Sequence, residues 1–495
     1  MEMNYAKTVE KWGTLEVAVK GPKEGNPFCD QWIKGTFECK NEKKTVDGFY
    51  DGDGVYKVRF MPSFVDTYTF KIESSFQTES AEEVSGSFEA VAPSADNHGP
   101  VRVAGTYYLA YEDGKPYHCI GTTCYVWNLQ NEKLQEQTLK TLEENAFNKT
   151  RFCIFPKHYD YNLHEPITYP YEGTPCDTSE LNENNFAEYN GCAPGNDWDF
   201  TRFNPAHFQH IEECIKKLMA LGIQADLIVM HPYDRWGFSM MKAEDDDRYW
   251  KYVLARFSAY RNVWWSLANE YDLMHEKTLA DWERYAAIIC EKDPYHHLRS
   301  IHNCKAYYDY NLPWVTHCSI QRTETYRSSE LVNEWREKYH KPVVLDEICY
   351  EGNIQFGWGN ISGEEMTRRF WEAFCRGGYP GHGETYLSPD RILWWSHGGV
   401  LHGTSPERIK FLAKIMEETP GLGVEPMPCK WDEVACRAAG FPARKDYFIY
   451  YYTFMRPSFR DFYFDDTTEY QVEIIDTWEM TITDGGIHKG KFRVQ

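Results

Sequence analysis

The sequence predicts an α/β protein in which a (β/α)8 TIM barrel lies between an N-terminal β-sandwich and a small C-terminal β domain. Three observations indicate this fold class. Short alternating strands fill residues 10–95, strands and helices then alternate up to residue 418, and strands return after Pro420. We therefore expect domains at residues 1–97, 98–420 and 421–495.

The N-terminal segment alternates apolar and polar residues, which is typical of strands that are buried on one face. Its predicted strands, separated by turn residues, are 14–19, 55–60, 67–72 and 86–91. Strands at this spacing predict a small sandwich.

Eight apolar or β-rich runs follow, each before a helix-like stretch or a long loop, which predicts the barrel. The predicted barrel strands are 117–122, 150–155, 223–231, 262–269, 298–303, 315–320, 342–346 and 392–396. The helices with the clearest apolar periodicity are 204–221, 278–291, 328–339 and 363–375. The longest insertion, residues 156–203, is expected to form a lid or a wall of a substrate site.

Three further strands are predicted at 447–454, 470–475 and 490–494. They indicate a second small β domain, which we expect to pack against the barrel. Sugar binding is its alternative role.

Composition and charge exclude several kinds of partner. The net charge of −22 disfavours nucleic acid and anionic lipid, so a neutral carbohydrate fits better. No apolar run is long enough to cross a membrane, and the first residues do not resemble a signal peptide, so we expect a cytoplasmic protein. The 15 cysteines lack regular spacing and predict free thiols. We expect no metal and no cofactor, and a homo-oligomer is compatible with the sequence.

Two glutamates end apolar runs of the predicted barrel. Glu270 follows the run 263–269, and Glu347 ends the run 343–347, 77 positions further on. Three βα units of about 26 residues fill this interval in a compact barrel. Because the carboxyl ends of barrel strands share one face, both side chains are expected at the same mouth, as a pair of catalytic carboxyl groups.

A pair of carboxyl groups at a barrel mouth suits hydrolysis of a glycosidic bond. Retaining enzymes hold the two groups about 5–5.5 Å apart, and inverting enzymes about 6.5–9.5 Å. Glutamates from opposite strands of an eight-stranded barrel converge at short range, so we expect retention. Asn269 beside Glu270 favours this glutamate as the acid/base, and Arg151 on the second strand would keep Glu347 ionised as the nucleophile.

Other residues near strand ends are candidates for sugar contacts. Trp127, His231 and Trp395 are the stronger candidates, although barrel packing would also explain them. The weaker candidates are Asn128, Trp394, His397, His382 and Glu384.

These motifs together resemble those of clan A of the glycoside hydrolases, which are retaining (β/α)8 enzymes. More narrowly, the segments 98–103, 113–117 and 121–127 resemble the apiosidase-like group, which carries an N-terminal β-sandwich and a C-terminal β domain. The resemblance covers nearly the whole chain. It implies a Tyr or His that holds the nucleophile at the end of the sixth strand. Because His317 lies early in that strand, Gln321 and Tyr326 are the alternatives for this role.

The sequence therefore predicts a retaining glycosidase that cleaves a β-type bond in a small glycoside or oligosaccharide. A non-catalytic carbohydrate-binding or scaffold protein on the same barrel is the alternative. A lyase or isomerase would require a cluster of metal ligands at several strand ends.

Overall fold

The computed structural model describes residues 3–76, 84–429, 431 and 433–495. It confirms the predicted fold class. Eight parallel strands form a nearly closed barrel with helices outside it, and further β-sheets precede and follow this barrel.

Two sheets face each other in the N-terminal part. The four-stranded sheet has the order Met3–Tyr5, Leu15–Lys20, Val55–Phe60, Phe49–Tyr50, and the five-stranded sheet has the order Thr8–Glu10, Val84–Val91, Asp66–Ser74, Ile33–Glu38, Lys43–Asp47. Alternate residues of these strands are buried, as the sequence pattern predicts. The ring of Phe37 stacks on that of Phe60 with centroids 4.3 Å apart, which joins the two sheets.

The barrel strands are short and largely buried on both faces, which is why the third, fourth and seventh read as mainly apolar runs. In chain order they are Gly121–Thr123, Lys149–Cys153, Gln224–Met230, Val263–Ala268, Arg299–Ser300, Cys318–Gln321, Val343–Glu347 and Tyr379–His382. Neighbouring strands pair in parallel. A single bridge between His302 and Ser319 lies at the seam between the fifth and sixth strands.

The eighth strand lies elsewhere than the sequence predicts. It is Tyr379–His382, which pairs with the first and seventh strands, whereas residues 394–397 form a short helix. The sequence pattern misled because Pro380 and Gly381 look like strand breakers. Glycine is required here, since a Cβ at residue 381 would lie 2.7 Å from the carbonyl oxygen of Leu345 on the seventh strand.

Seven helices of eight or more residues surround the described barrel. They are Glu132–Glu144, Pro205–Ala220, Ala243–Phe257, Leu279–Lys292, Val332–Tyr339, Gly363–Cys375 and Ser405–Glu418. Side chains cap several N-termini, and Thr278 forms a reciprocal capping box with Asp281. The four helices that the sequence predicts are confirmed within a few residues. The fifth and sixth strands are joined by turns without an α-helix.

The long insertion after the second strand carries its own hairpin, Tyr171–Thr174 with Asp197–Phe203. The C-terminal part contains the three-stranded sheet Val424–Met427, Val434–Ala438, Phe448–Tyr451, and the strand pairs Arg460–Tyr463 with Lys491–Val494 and Tyr470–Asp476 with Thr481–His488. The first of these sheets packs on the helix Gly363–Cys375, where Trp371 stacks on Tyr451. The domain boundaries at residues 97 and 420 stay a prediction. In the described chain, no helix has the length and apolar character needed to cross a membrane.

Candidate active site

The two glutamates lie at the carboxyl ends of the fourth and seventh barrel strands, and each is 6% exposed. Glu347 is the last residue of its strand. Glu270 follows its strand by two residues and has left-handed backbone angles, φ 52° and ψ 57°. A non-glycine residue in this conformation is strained and tends to occur at functional sites, where the surrounding structure maintains it.

Glu347 lies among hydrogen-bond donors and positive charge. Its Oε1 accepts a hydrogen bond from the Tyr125 hydroxyl, and Nε2 of His302 and Nη1 of Arg151 lie 3.4 Å and 3.5 Å from the same oxygen. Burial opposes ionisation, but His302, Arg151 and the Tyr125 hydroxyl outweigh it and lower the pKa of Glu347. This carboxyl group is held as a carboxylate.

Glu270 lies in a less cationic environment. Its Oε2 accepts a hydrogen bond from the Tyr233 hydroxyl, and its Oε1 accepts one from Nε2 of Gln321 at 2.8 Å. Burial and the nearby charge of Glu347 raise the pKa of Glu270 despite these two donors. The two carboxyl groups therefore have pKa values shifted in opposite directions, as a proton donor and a nucleophile require.

Asn269 links the two halves of the site. Its Oδ1 accepts a hydrogen bond from Nη2 of Arg151 at 3.3 Å and lies 3.1 Å from the hydroxyl oxygen of Tyr125. Its Nδ2 lies 3.4 Å from Oε2 of Glu270. The side-chain amide thus touches groups that surround both glutamates.

A buried ion network lies behind the carboxyl pair. Nζ of Lys149 lies 2.7 Å from Asp226 and 2.6 Å from Asp346, and Nε of Arg151 lies 3.5 Å from Asp226. Burial opposes ionisation of Asp346, but Lys149 and Arg151 hold its pKa well below the usual range. The network fixes the arginine that contacts Glu347.

Three of the predicted site residues lie near the pair. Trp395 belongs to the short helix 394–397, and its ring meets that of Tyr125 edge-on at 5.7 Å. His231 stacks beside Tyr233, and burial lowers its pKa to about 3, which keeps the imidazole neutral. Gln321 contacts Glu270, as described above.

Trp127 and Tyr326 are not brought to the pair. Trp127 is fully buried and packs edge-on against Phe152 in the barrel core, whereas Tyr326 is 84% exposed. Gln321 and Tyr326, the two alternatives predicted at the sixth strand, do not contact Glu347 through their side chains. Tyr125 and His302 make those contacts instead, since the side chain of Gln321 contacts Glu270 although its backbone pairs with that of Glu347.

The weaker candidates mainly hold loops in place. Nδ2 of Asn128 donates to the carbonyl oxygen of Cys153, and Nε1 of Trp394 donates to Thr122. Glu384 accepts hydrogen bonds from the backbone N–H groups of residues 402 and 403, and burial raises its pKa to about 8. His382 contacts Thr122, and His397 is buried.

Sequence reasoning missed Tyr125, Tyr233, His302 and Lys157. Each follows a barrel strand within four residues, which is the signal that could have found them. Tyr125 also lies inside one of the segments that carry the family resemblance. Across the described ranges, no group of three or more His, Cys, Asp or Glu side chains has an arrangement that could hold a metal ion.

Three segments of the chain match family models. Residues 104–420 match the apiosidase-like catalytic domain, residues 8–75 match a domain of unknown function, DUF5060, and residues 431–495 match another, DUF5605. The comparison with curated proteins gave no match.

Solved structures of glycoside hydrolases are similar to this chain. A "putative glycoside hydrolase" from Bacteroides vulgatus ATCC 8482 is 38% identical, with a TM-score of 0.85, over 98% of this chain and 94% of that chain. A glycoside hydrolase family 5 protein from the same organism is 16% identical, with a TM-score of 0.58, over 80% of this chain and 90% of that chain, and it shares the fold. The chain therefore belongs to the apiosidase-like family, and it is a glycosidase.

Proposed function

We propose that this glycosidase cleaves a β-type bond with retention of configuration, with Glu347 as the nucleophile and Glu270 as the acid/base. The observation that carries the proposal is the difference between the surroundings of two carboxyl groups at one barrel mouth: Arg151 and His302 lie beside Glu347, whereas Tyr233 and Gln321 lie beside Glu270. These surroundings shift the two pKa values in opposite directions. His302, Arg151 and Tyr125 favour the ionised form of Glu347, while burial and the charge of Glu347 favour the protonated form of Glu270. This difference matches the states that the first chemical step needs.

The reaction proceeds in two displacements. The carboxylate of Glu347 attacks the anomeric carbon, and the glycosidic C–O bond breaks as Glu270 gives its proton to the leaving oxygen. The ionised Glu270 then takes a proton from water, which attacks the anomeric carbon and releases Glu347 as a carboxylate. Arg151 would keep Glu347 ionised, and Asn269 would contact a sugar hydroxyl.

The proposed substrate is a neutral small glycoside or oligosaccharide. The strongly negative net charge supports a neutral ligand, since an anion would approach against the field of the whole protein. Trp395 would offer a ring face to the sugar, and Gln321 and His231 would supply polar contacts.

Replacing each glutamate tests the assignment of roles. We expect Glu347→Gln to lower kcat by about 10⁴-fold or more, because no carboxylate remains to form the covalent intermediate. Glu270→Gln should instead retain the first step with a nitrophenyl glycoside, whose leaving group needs little protonation. Azide, which needs no general base, should then restore turnover to Glu270→Gln alone.

Glu283→Gln serves as the control, because this carboxylate lies on the outer helix Leu279–Lys292, where it accepts a hydrogen bond from Nε1 of Trp314, away from the barrel mouth. Its kcat should match that of the wild type. A fluorinated glycoside should label Glu347 covalently, as judged by peptide mass spectrometry. Wild-type turnover by Glu347→Gln, or labelling of another residue, would refute the mechanism.

A further inference from the structure

Lys157 is a buried cation that the proposed chemistry does not use. It follows the second barrel strand by four residues and is 3% exposed. Within the described part of the chain, its Nζ has neither a hydrogen-bond acceptor nor a carboxylate within ion-pair distance. A fully buried lysine usually has a carboxylate partner, as Lys149 does in Asp226 and Asp346.

Aromatic rings surround the Lys157 ammonium group. Its Nζ lies 3.6 Å from the ring centroid of Tyr125, 4.3 Å from that of Tyr233, 4.5 Å from that of Trp395 and 5.4 Å from that of Tyr159. Cations are attracted electrostatically to such ring faces. These four rings therefore fix the position of the ammonium group.

Two of these rings belong to the tyrosines that contact the glutamates. Tyr125 donates its hydroxyl hydrogen bond to Glu347, and Tyr233 donates its own to Glu270. Nζ of Lys157 therefore lies against both tyrosines at once. The charge of Lys157 acts on both carboxyl groups by electrostatic attraction. Its ring contacts also bear on the two tyrosines that donate hydrogen bonds to them.

Few other charges face this ammonium group. The titratable groups near it, besides the tyrosines, are Glu270, Glu347, Arg151, Cys153, His231 and His397. Burial raises the pKa of Cys153 to about 12 and lowers the pKa of His231 to about 3 and that of His397 to about 4, so these three are neutral at pH 7. Burial also lowers the pKa of Lys157 itself to about 8, which leaves most of it protonated at pH 7.

We propose that Lys157 is a positioning residue that couples the two glutamates: it orients Tyr125 and Tyr233, and its charge favours the ionised form of both carboxyl groups. Removal of this charge should raise the pKa values of Glu270 and Glu347 together. The acid limb of the pH–rate profile reports ionisation of the nucleophile, and the alkaline limb reports loss of the acid's proton. Both limbs should therefore move to higher pH.

The first test, which rests on the proposed function, is the pH profile of kcat/KM for Lys157→Met with a nitrophenyl glycoside that the wild type hydrolyses. Both limbs should move up by about half a pH unit or more. Lys157→Arg, which keeps the charge, should leave the limbs near their wild-type positions. Lys277→Met is the matched control, because it removes a buried lysine that pairs with Asp246 instead. It should not move either limb.

The second test needs no substrate. In a thermal double-mutant cycle at pH 7, Lys157→Met should lower Tm by about 2 °C more in the wild type than in the Glu347→Gln background, where the attraction is already absent. Lys157→Gln replaces Lys157→Met if the latter does not fold. Unmoved limbs together with additive Tm changes would overturn the coupling. Absence of hydrolysis by the wild type would instead reject the proposed function, and the cycle would still decide the role of Lys157.

Discussion

At the scale of single residues, each glutamate accepts a hydrogen bond from a different tyrosine hydroxyl. Tyr125 donates to Glu347 and Tyr233 donates to Glu270, and each hydrogen bond lowers the pKa of its carboxyl group. The two tyrosines follow the first and third barrel strands, whereas Glu270 follows the fourth strand and Glu347 ends the seventh. Phenylalanine variants remove the hydroxyl groups and leave the rings that surround Lys157.

Tyr125→Phe should raise the pKa of Glu347, because the carboxylate loses a donor. The nucleophile is then ionised only at higher pH, so the acid limb of kcat/KM should move up, and kcat should fall by about 10-fold to 100-fold. A pH–rate profile measures both changes. An unmoved acid limb would show that this hydroxyl does not support the ionised nucleophile.

Tyr233→Phe should move the opposite limb. Glu270 loses a donor to its ionised form, its pKa rises further, and it stays protonated to higher pH. The alkaline limb should therefore move up while the acid limb stays in place. Since both variants lose one hydroxyl from a buried phenol, each serves as the control for the other. A shift of the same limb in both variants would contradict the separate roles of the two tyrosines.

At the scale of elements, the best predicted strands are those with continuous β-rich sequence. The fourth and seventh strands are mainly apolar runs that end at or near a carboxylate, so the sequence locates Glu270 and Glu347 directly. The eighth strand is Tyr379–His382, whose proline and glycine break the pattern. Gly381 is required because this strand lies so close to the seventh strand, and a pattern in the local sequence does not show such a contact.

The residues that hold the carboxyl groups were harder to predict for a related reason. Tyr125, Tyr233 and His302 lie in loops just beyond three different strands, where no periodicity exists. Their convergence on two glutamates depends on the closure of the barrel. Arg151 could be predicted because it lies within a strand, whose alternation directs its side chain.

The second barrel strand carries two cations into a buried network, and this makes it a structural support for the site. Lys149→Met should leave Asp226 and Asp346 with Arg151 as the remaining cationic partner in the described network. We expect a loss of about 3–5 kcal/mol in the free energy of unfolding, because breaking a buried ion pair leaves an uncompensated charge. Urea denaturation measures this loss.

Lys140→Met provides the comparison for Lys149→Met. Lys140 lies on the exposed face of the helix Glu132–Glu144, where its Nζ is 3.9 Å from Glu144. Exposed pairs of this kind contribute about 0.5 kcal/mol or less. Equal losses in the two variants would mean that the network behind the glutamates is not a stabilising unit.

At the scale of the whole molecule, a buried ion cluster joins the N-terminal sheets to the barrel. Nη1 of Arg59, on the strand Val55–Phe60, lies 2.5 Å from Glu212 on a barrel helix. Arg256, on the next barrel helix, contacts both Glu212 and Asp51, and its Nη1 lies 2.7 Å from Asp51. Two arginines and two carboxylates thus alternate across the contact.

This cluster should make the stability of the whole molecule sensitive to acid. Burial opposes ionisation of Asp51, but Arg256 and Lys57 lower its pKa. A carboxyl group whose pKa is lowered by folding stabilises the protein above its ordinary pKa, near 4, and this contribution is lost as the pH falls through the lower folded-state value. Asp51→Asn should therefore be less stable than the wild type at pH 7, by about 2–4 kcal/mol, and should lose less stability between pH 5 and the acid range. Thermal unfolding across this pH range measures both effects.

Asp461→Asn is the control, because it removes an exposed pair with Arg493 and should change Tm little at pH 7. If Asp51→Asn retained the full acid dependence of the wild type, the acid sensitivity would have to arise from carboxyl groups outside this contact.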